Sequence, residues 1–200
     1  MARARPNRRM DRPREQVLEA ALAMIGEQGL ATVTMASLAA RLGTSGGHLL
    51  YYFGTRDGLL LETLKWSEQK YTVERAPLME QAARGEGTQA TLLSFARVYL
   101  PIDDRDPRWL LWLEMWARAA YDARLAVAQR ELDASWHDDL VALLRSCAPD
   151  VHDSEGLSER LRAMWDGFAI AIVNGGGTVL RDAVIEHTLA VIAPPGAALE

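Results

Sequence analysis

The chain of 200 residues contains one cysteine, Cys147. A lone thiol cannot close an internal disulfide, so a packed core must hold the fold, as in proteins of a reducing cytoplasm. Long apolar runs are also missing: none approaches the roughly 18 residues of a membrane span. The arginine-bearing start leads into a helix carrying Glu15, Glu19 and Glu27, which is not the pattern of a signal peptide. No stretch alternates apolar and polar residues as a half-buried strand does. There is no glycine-rich phosphate loop, no nucleophile elbow and no carboxylate pair that spacing brings together. His137-Asp138-Asp139 and His152-Asp153 supply ligand types, but adjacent helix residues do not converge on one metal. Catalysis, a resident metal and a cofactor are therefore not expected.

What is present is ordinary in proportion, 49% hydrophobic and 24% charged. That is the make-up of a soluble globular chain, long enough for one large domain or two small ones. The net charge of -5 conceals a division. Through Arg56 there are eight arginines against four acidic residues; beyond it fourteen basic residues face twenty-three acidic ones. A basic end on an acidic body suggests that one part meets a polyanion and the other does not. Five of the arginines fall in residues 1–12, which show no periodicity. This segment is expected to be a disordered arm lying along phosphates or in a minor groove; a solubilising tail is the plainer alternative.

Residues 34–53 are the stretch around which the chain is organised. Thr34 suits an N-cap, and Met35, Leu38, Ala39 and Leu42 share a face at helical spacing. Gly43 can take the positive φ that closes this helix. Ser45 can then cap a second, with Leu49 and Phe53 four residues apart on one face. Two short helices meeting at a sharp turn form a helix-turn-helix, whose second helix enters the major groove of DNA. A preceding helix, with Pro13 at its first position, carries Val17, Leu18, Ala21, Leu22 and Ile25 as a stripe. It is expected to end at Gly26 and Gly29 and to close a three-helix core.

Beyond Phe53 the pattern stays helical. Thr55 can cap a fourth helix with Asp57 in its first turn, running through Leu59, Leu60, Leu64, Trp66 and Tyr71 toward Met79 and bent or broken near Pro77. A fifth covers Leu92 to Tyr99, and Asp106-Pro107 opens a sixth through Trp116. A seventh covers Arg124 to Cys147. The eighth starts at Asp153 or Ser154 and stops at Gly175-Gly176-Gly177; the ninth runs from Leu180 to Val191. The expectation is an all-α chain of about nine helices, with a basic arm over 1–12, a helix-turn-helix DNA-binding domain over 13–56 and a helical domain over 57–200. The last two helices have wide apolar faces that one small domain need not hide.

The sequence resembles the TetR family of bacterial transcriptional regulators. The likeness rests on Ala20-Ala21, Gly29, Val33-Thr34, Leu38-Ala39 and Gly43, and on the run from Ser45 through Tyr51-Tyr52-Phe53-Gly54-Thr55-Arg56-Asp57-Gly58-Leu59-Leu60. Leu111-Trp112-Leu113-Glu114-Met115-Trp116 and Met164-Trp165-Asp166-Gly167-Phe168 look like the C-terminal domain of its BetI-like branch. The resemblance implies a cytoplasmic homodimer, joined through its two C-terminal helices, that represses from a palindromic operator until a small-molecule effector enters the C-terminal domain. By position in the motif, DNA contacts would fall on Thr34, Ser45, Gly46, Gly47, His48, Tyr51, Tyr52 and Arg56. His48 and Tyr51 are the expected base readers, Tyr52 and Arg56 phosphate contacts. Leu50 stands where many members have tyrosine.

In the C-terminal part, Trp109, Trp112 and Trp116 repeat at spacings of three and four. Together with Trp66, Phe95, Tyr99, Trp136, Trp165 and Phe168 they can line a pocket for a cation or a flat apolar ligand. The same spacing is what a core stripe gives. Glu114 can pair with Arg118 one turn on; pointing inward instead, with Met115 beside it, it would mark a cationic or hydrogen-bonding ligand. A choline-like ligand is implied only by the branch resemblance. His187 reads as an interface histidine and Cys147 as a buried thiol, inert or redox-sensing. Two other functions compete with a ligand-responsive repressor: a constitutive DNA-binding dimer, and a helical enzyme with a DNA-binding head.

Overall fold

The computed structural model describes residues 13–192; the basic arm expected over 1–12 lies outside the described residues. Side-chain caps start most of the helices. Thr34 Oγ1 accepts from Ser37 N at 3.0 Å while Ser37 Oγ accepts from Thr34 N at 2.9 Å, a reciprocal capping box. Ser45, Asp106, Asp122 and Asp153 accept from backbone N–H groups in the same way. The described residues form α1 (Arg14–Gln28), a 3-10 turn (Leu30–Thr32), α2 (Met35–Leu42), α3 (Gly46–Phe53), α4 (Arg56–Ala83), α5 (Gln89–Tyr99), α6 (Pro107–Ala119), α7 (Ala123–Cys147), α8 (Ser154–Ala171) and α9 (Gly177–Ile192). No strand occurs among them, so the fold is all-α.

Three boundaries differ from those the sequence suggests. Pro13 is the N-cap of α1, not its first helical residue. Gly26 does not end α1, which continues to Gln28 and stops where Gly29 takes φ 82°. An interior glycine weakens a helix by about 1 kcal/mol, less than the burial of Met24 and Ile25 beside it returns. Pro77 does not break α4. The carbonyl it deprives of a partner belongs to Val73, whose residue is 73% exposed, so water can satisfy it. The glycine run does part α8 from α9: helical geometry is lost at Asn174 and at Gly175, whose φ is 106°, before α9 begins at Gly177.

The chain divides into two compact units between Trp66 and Ser67, inside α4. In the first, Val17, Leu18, Ala21, Met24 and Ile25 of α1 are buried, as are Leu38 and Leu42 of α2, Leu49 and Phe53 of α3, and Leu59, Leu60 and Leu64 of α4. Gly43, at φ 64°, donates its N–H to Ala40 O and ends α2. In the second unit the core is built from α5 to α9. Phe95 and Trp165 are fully buried, and Trp165 Nε1 donates to Thr188 Oγ1 at 2.9 Å.

The stretch Ser154–Ile192, kinked at Asn174 and Gly175, contains an 18-residue window of mean hydropathy 1.4, long and apolar enough to cross a membrane by length and composition alone. Counting uninterrupted apolar residues misses it. Leu157, Leu161, Trp165, Ala169, Ile172, Val184 and Ile185 of this run are buried in the second unit. Only one face of it is covered: 22% of that window is buried, and Ile170, Val179 and Val191 are exposed.

Candidate DNA interface and aromatic cavity

In the first unit, α3 is fixed by Leu49 and Phe53, buried on its inner face. Its outer face is Gly47, Leu50 and Tyr51, all exposed, with Tyr51 at 75%. An exposed Tyr–Leu pair on the second helix of a helix-turn-helix offers a hydroxyl and apolar surface to base edges. His48, expected to read bases beside Tyr51, is half-buried. Its ring stacks on Tyr52 with centroids 5.1 Å apart, and its Nε2 is covered without a partner. Tyr51 in turn meets Tyr52 edge-on at 5.1 Å. The structure therefore brings Tyr51 to the surface and makes His48 and Tyr52 its support. Leu50, which the sequence marks only as standing where many family members have tyrosine, is exposed beside Tyr51. Its position three after Gly47 and one after the buried Leu49 is the available signal.

Thr34 and Ser45 stand exposed at the starts of α2 and α3, each accepting an N–H three residues on. Gly46 and Gly47 come directly after Ser45. A Cβ at Gly47 would meet nothing within 4 Å, so packing does not require glycine there. Arg56, expected on phosphate, is turned inward: Nε donates to Val33 O at 2.7 Å and Nη2 to Leu30 O at 2.9 Å. Those carbonyls precede α2, so Arg56 braces the approach to the helix-turn-helix. Arg41 makes a two-pronged pair with Glu27, at 2.6 and 2.8 Å.

In the second unit a narrow, partly open cavity is lined by Tyr99 of α5, Arg108, Trp109, Trp112 and Trp116 of α6, and Asp133 and Trp136 of α7. The indoles are held by their N–H groups. Trp112 Nε1 and Trp136 Nε1 donate to the two oxygens of the buried Glu68, each at 2.8 Å, and Trp109 Nε1 donates to Tyr99 O at 3.0 Å. Trp116 is half-buried and touches Trp109 and Trp112 with ring centroids 5.9 Å apart. Arg108 is 2% exposed. Its guanidinium lies 3.8 Å from the centre of the Tyr71 ring, donates to the Tyr99 and Val98 carbonyls that end α5, and stands 3.9 Å from Glu68. Burial pushes the Asp133 carboxyl above its ordinary value, against the pull of Arg162 at 3.2 Å. The Tyr99 phenol donates to Asp166 at 2.6 Å; burial and then that carboxylate hold it well above the usual tyrosine value.

Four expected ligand residues thus line this cavity: Tyr99, Trp112, Trp116 and Trp136. The others do not. Phe95 packs against Trp136 and Trp165 in the core, Met115 is buried, and Trp165 bonds Thr188. Phe168 stacks on the exposed His187 at 5.6 Å, and Glu114 pairs with Arg118. Trp66 is half-buried at the end of the first unit and is not part of the lining. Trp109 belongs to the same α6 stripe as Trp112 and Trp116, and Asp133 lies one turn before Trp136. Nothing in the sequence marks Arg108 as buried. Burial raises the Cys147 thiol above its ordinary value, which favours an inert thiol.

Two family models match the chain. Residues 17–63 match bacterial regulatory proteins of the tetR family, and residues 88–193 match the C-terminal domain of BetI-type transcriptional repressors. An HTH-type transcriptional regulator BetI from Burkholderia mallei is 30% identical over 164 residues, 79% of this chain and 82% of that protein. Among solved structures, a transcriptional regulator from Saccharomonospora viridis in complex with choline is similar, with a TM-score of 0.75 at 21% identity; the match covers 90% of this chain and 94% of that one. A transcriptional regulator from Rhodococcus has a TM-score of 0.75 at 20% identity, covering 94% of this chain and 100% of that one. At these identities the structural likeness concerns the fold.

Proposed function

The chain belongs to the TetR family of bacterial regulatory proteins and is a DNA-binding transcriptional regulator; from that membership we propose that it is a cytoplasmic homodimeric repressor released from a palindromic operator by a small organic ligand. The observation that carries the DNA-reading part is Tyr51, three-quarters exposed on a capped recognition helix whose opposite face is locked by Leu49 and Phe53. Tyr51 and Leu50 read bases, while the hydroxyls and N–H groups at Thr34 and Ser45 hold phosphate. Gly46 and Gly47 leave room for the DNA backbone to approach. Ile170, Val179 and Val191, exposed on α8 and α9, support pairing of two copies through those helices. Two-fold symmetry then calls for half-sites about one helical turn apart.

The aromatic cavity is the effector site in this reading. Tryptophan and tyrosine faces attract organic cations, and a similar fold has been solved with choline. Selection of bound sequences from random DNA is expected to enrich a palindrome. On that palindrome Tyr51→Ala should weaken binding by about ten- to a hundredfold, the worth of one good base contact. Enrichment of no consensus, or undiminished specific binding by Tyr51→Ala combined with Leu50→Ala, would sink the recognition surface. A palindrome bound equally with and without added effectors would favour the constitutive dimer.

A further inference from the structure

The recognition helix α3, Gly46–Phe53, carries no arginine, lysine, asparagine, glutamine or carboxylate. Those are the side chains that hydrogen-bond the edges of guanine, adenine and cytosine. His48 does not replace them, because its ring is stacked on Tyr52 and its Nε2 is covered, out of reach of a base. The exposed strip of α3 is Gly47, Leu50 and Tyr51, three and four residues apart on one face. Leu50 is 46% exposed and lies at the centre of that strip.

A leucine held against a base edge discriminates by what it cannot offer. The major groove presents hydrogen-bond donors and acceptors, and one strongly apolar group, the C5-methyl of thymine. Against guanine O6 and N7 or the cytosine amino group, Leu50 would displace water and return no partner, which is costly. Against the thymine methyl it buries apolar surface without that cost. Such contact needs the helix within about 4 Å of the base. Gly47 permits that approach: it is exposed, and a Cβ there would meet nothing in the protein within 4 Å, so the side chain is missing on the outer surface. Tyr51, met edge-on by Tyr52 at 5.1 Å, adds one hydroxyl beside the leucine, able to donate to thymine O4.

We propose that Leu50 is a specificity-determining residue that selects thymine through its C5-methyl group, so that α3 reads A·T pairs by apolar contact. The proposal rests on the reading of Gly47, Leu50 and Tyr51 as the base-facing surface. The test uses the full chain and the consensus selected from random DNA, with binding followed by fluorescence anisotropy. Each thymine is replaced in turn, in both half-sites, by deoxyuridine, which lacks only the methyl. At one position the wild type is expected to lose about fourfold in affinity per half-site, the worth of burying one methyl. Leu50→Ala should bind the thymine form more weakly and no longer distinguish thymine from deoxyuridine at that position. Tyr51→Phe, which keeps the ring, should retain the wild-type ratio. With 5-methylcytosine opposite guanine there, the wild type should bind more tightly than with cytosine, and Leu50→Ala should not. Affinity unchanged by deoxyuridine at every position, or a deoxyuridine penalty that persists in full in Leu50→Ala, overturns the proposal; if Tyr51→Ala still weakens binding, the recognition surface stands without it. Selection of no consensus overturns both together.

Discussion

Replacing Arg56 with methionine separates a brace from a phosphate contact. The side chain is part-buried and its guanidinium donates to Val33 O at 2.7 Å and Leu30 O at 2.9 Å. Leu30 O also accepts Val33 N at 3.2 Å, so its loss is cushioned. The Val33 carbonyl is the one left needing water. A hydrogen bond from a charged donor contributes about 1.5–3 kcal/mol when well buried. Partial exposure and the cushioned second bond bring the expected total to about 2 kcal/mol. Urea unfolding followed by circular dichroism should show that loss, with the midpoint moved and the slope unchanged. Because the segment entering α2 loses its anchor, operator binding should weaken as well, yet its dependence on salt should not change. A phosphate contact behaves in the opposite way: its removal lowers the slope of log affinity against log salt by about 0.9 and leaves stability alone. Arg56→Lys sharpens the contrast, since lysine keeps the charge but cannot span both carbonyls. Stability within about 0.5 kcal/mol of wild type, together with a salt slope reduced by about one, would refute the bracing role.

Gly47→Ala has open space for its methyl and should stabilise the fold by about 0.5–1 kcal/mol while weakening operator binding; unchanged binding would mean DNA does not approach there. Pro77→Ala restores an N–H to the exposed side of α4 and should raise stability by roughly 1–3 kcal/mol, read as a higher unfolding midpoint; no gain would mean the helix is already adapted to proline. Tyr99 has a phenol raised well above 10.0 in the folded chain by burial first and Asp166 second. The unfolded chain therefore ionises this phenol first, so stability is fully present below about pH 10 and is lost as pH climbs toward the raised value. Tyr99→Phe should flatten that alkaline part of the stability profile, and an unaltered slope would contradict the assignment.

Much of the fold is legible in the sequence because its punctuation is local. Thr34, Ser45, Asp106 and Asp153 cap in the structure as their side-chain chemistry indicates, and Gly43 needs only its own positive φ to end α2. Sequence and structure part where a local signal competes with a distant one. Gly26 and Pro77 are both helix breakers by propensity, yet α1 and α4 run through them. Buried neighbours hold the first, and water on an exposed face relieves the second. The Pro77 outcome depends on which side of α4 faces solvent, and periodicity over a helix of low amphipathicity does not disclose that.

The tryptophan stripe shows the same limit at the site. Spacing places Trp109, Trp112 and Trp116 on one face of α6 but cannot distinguish a core stripe from a cavity wall. The distinction lies in what completes each ring's surroundings. Trp165 finds Thr188 on α9 and disappears into the core, whereas Trp112 and Trp136 share the carboxylate of Glu68, 44 and 68 positions away in the chain. Both indoles are drawn to one carboxylate, and each also lines a cavity that holds Arg108 and Asp133. Glu68, lying on a helix of otherwise ordinary polar residues, offers no sequence signal of that role. The same holds for Arg108, which looks like a solvated first-turn arginine after Pro107 and is instead 2% exposed. Buried charge is therefore what turns an aromatic stripe into a candidate site here, and it is invisible until the helices are placed against one another.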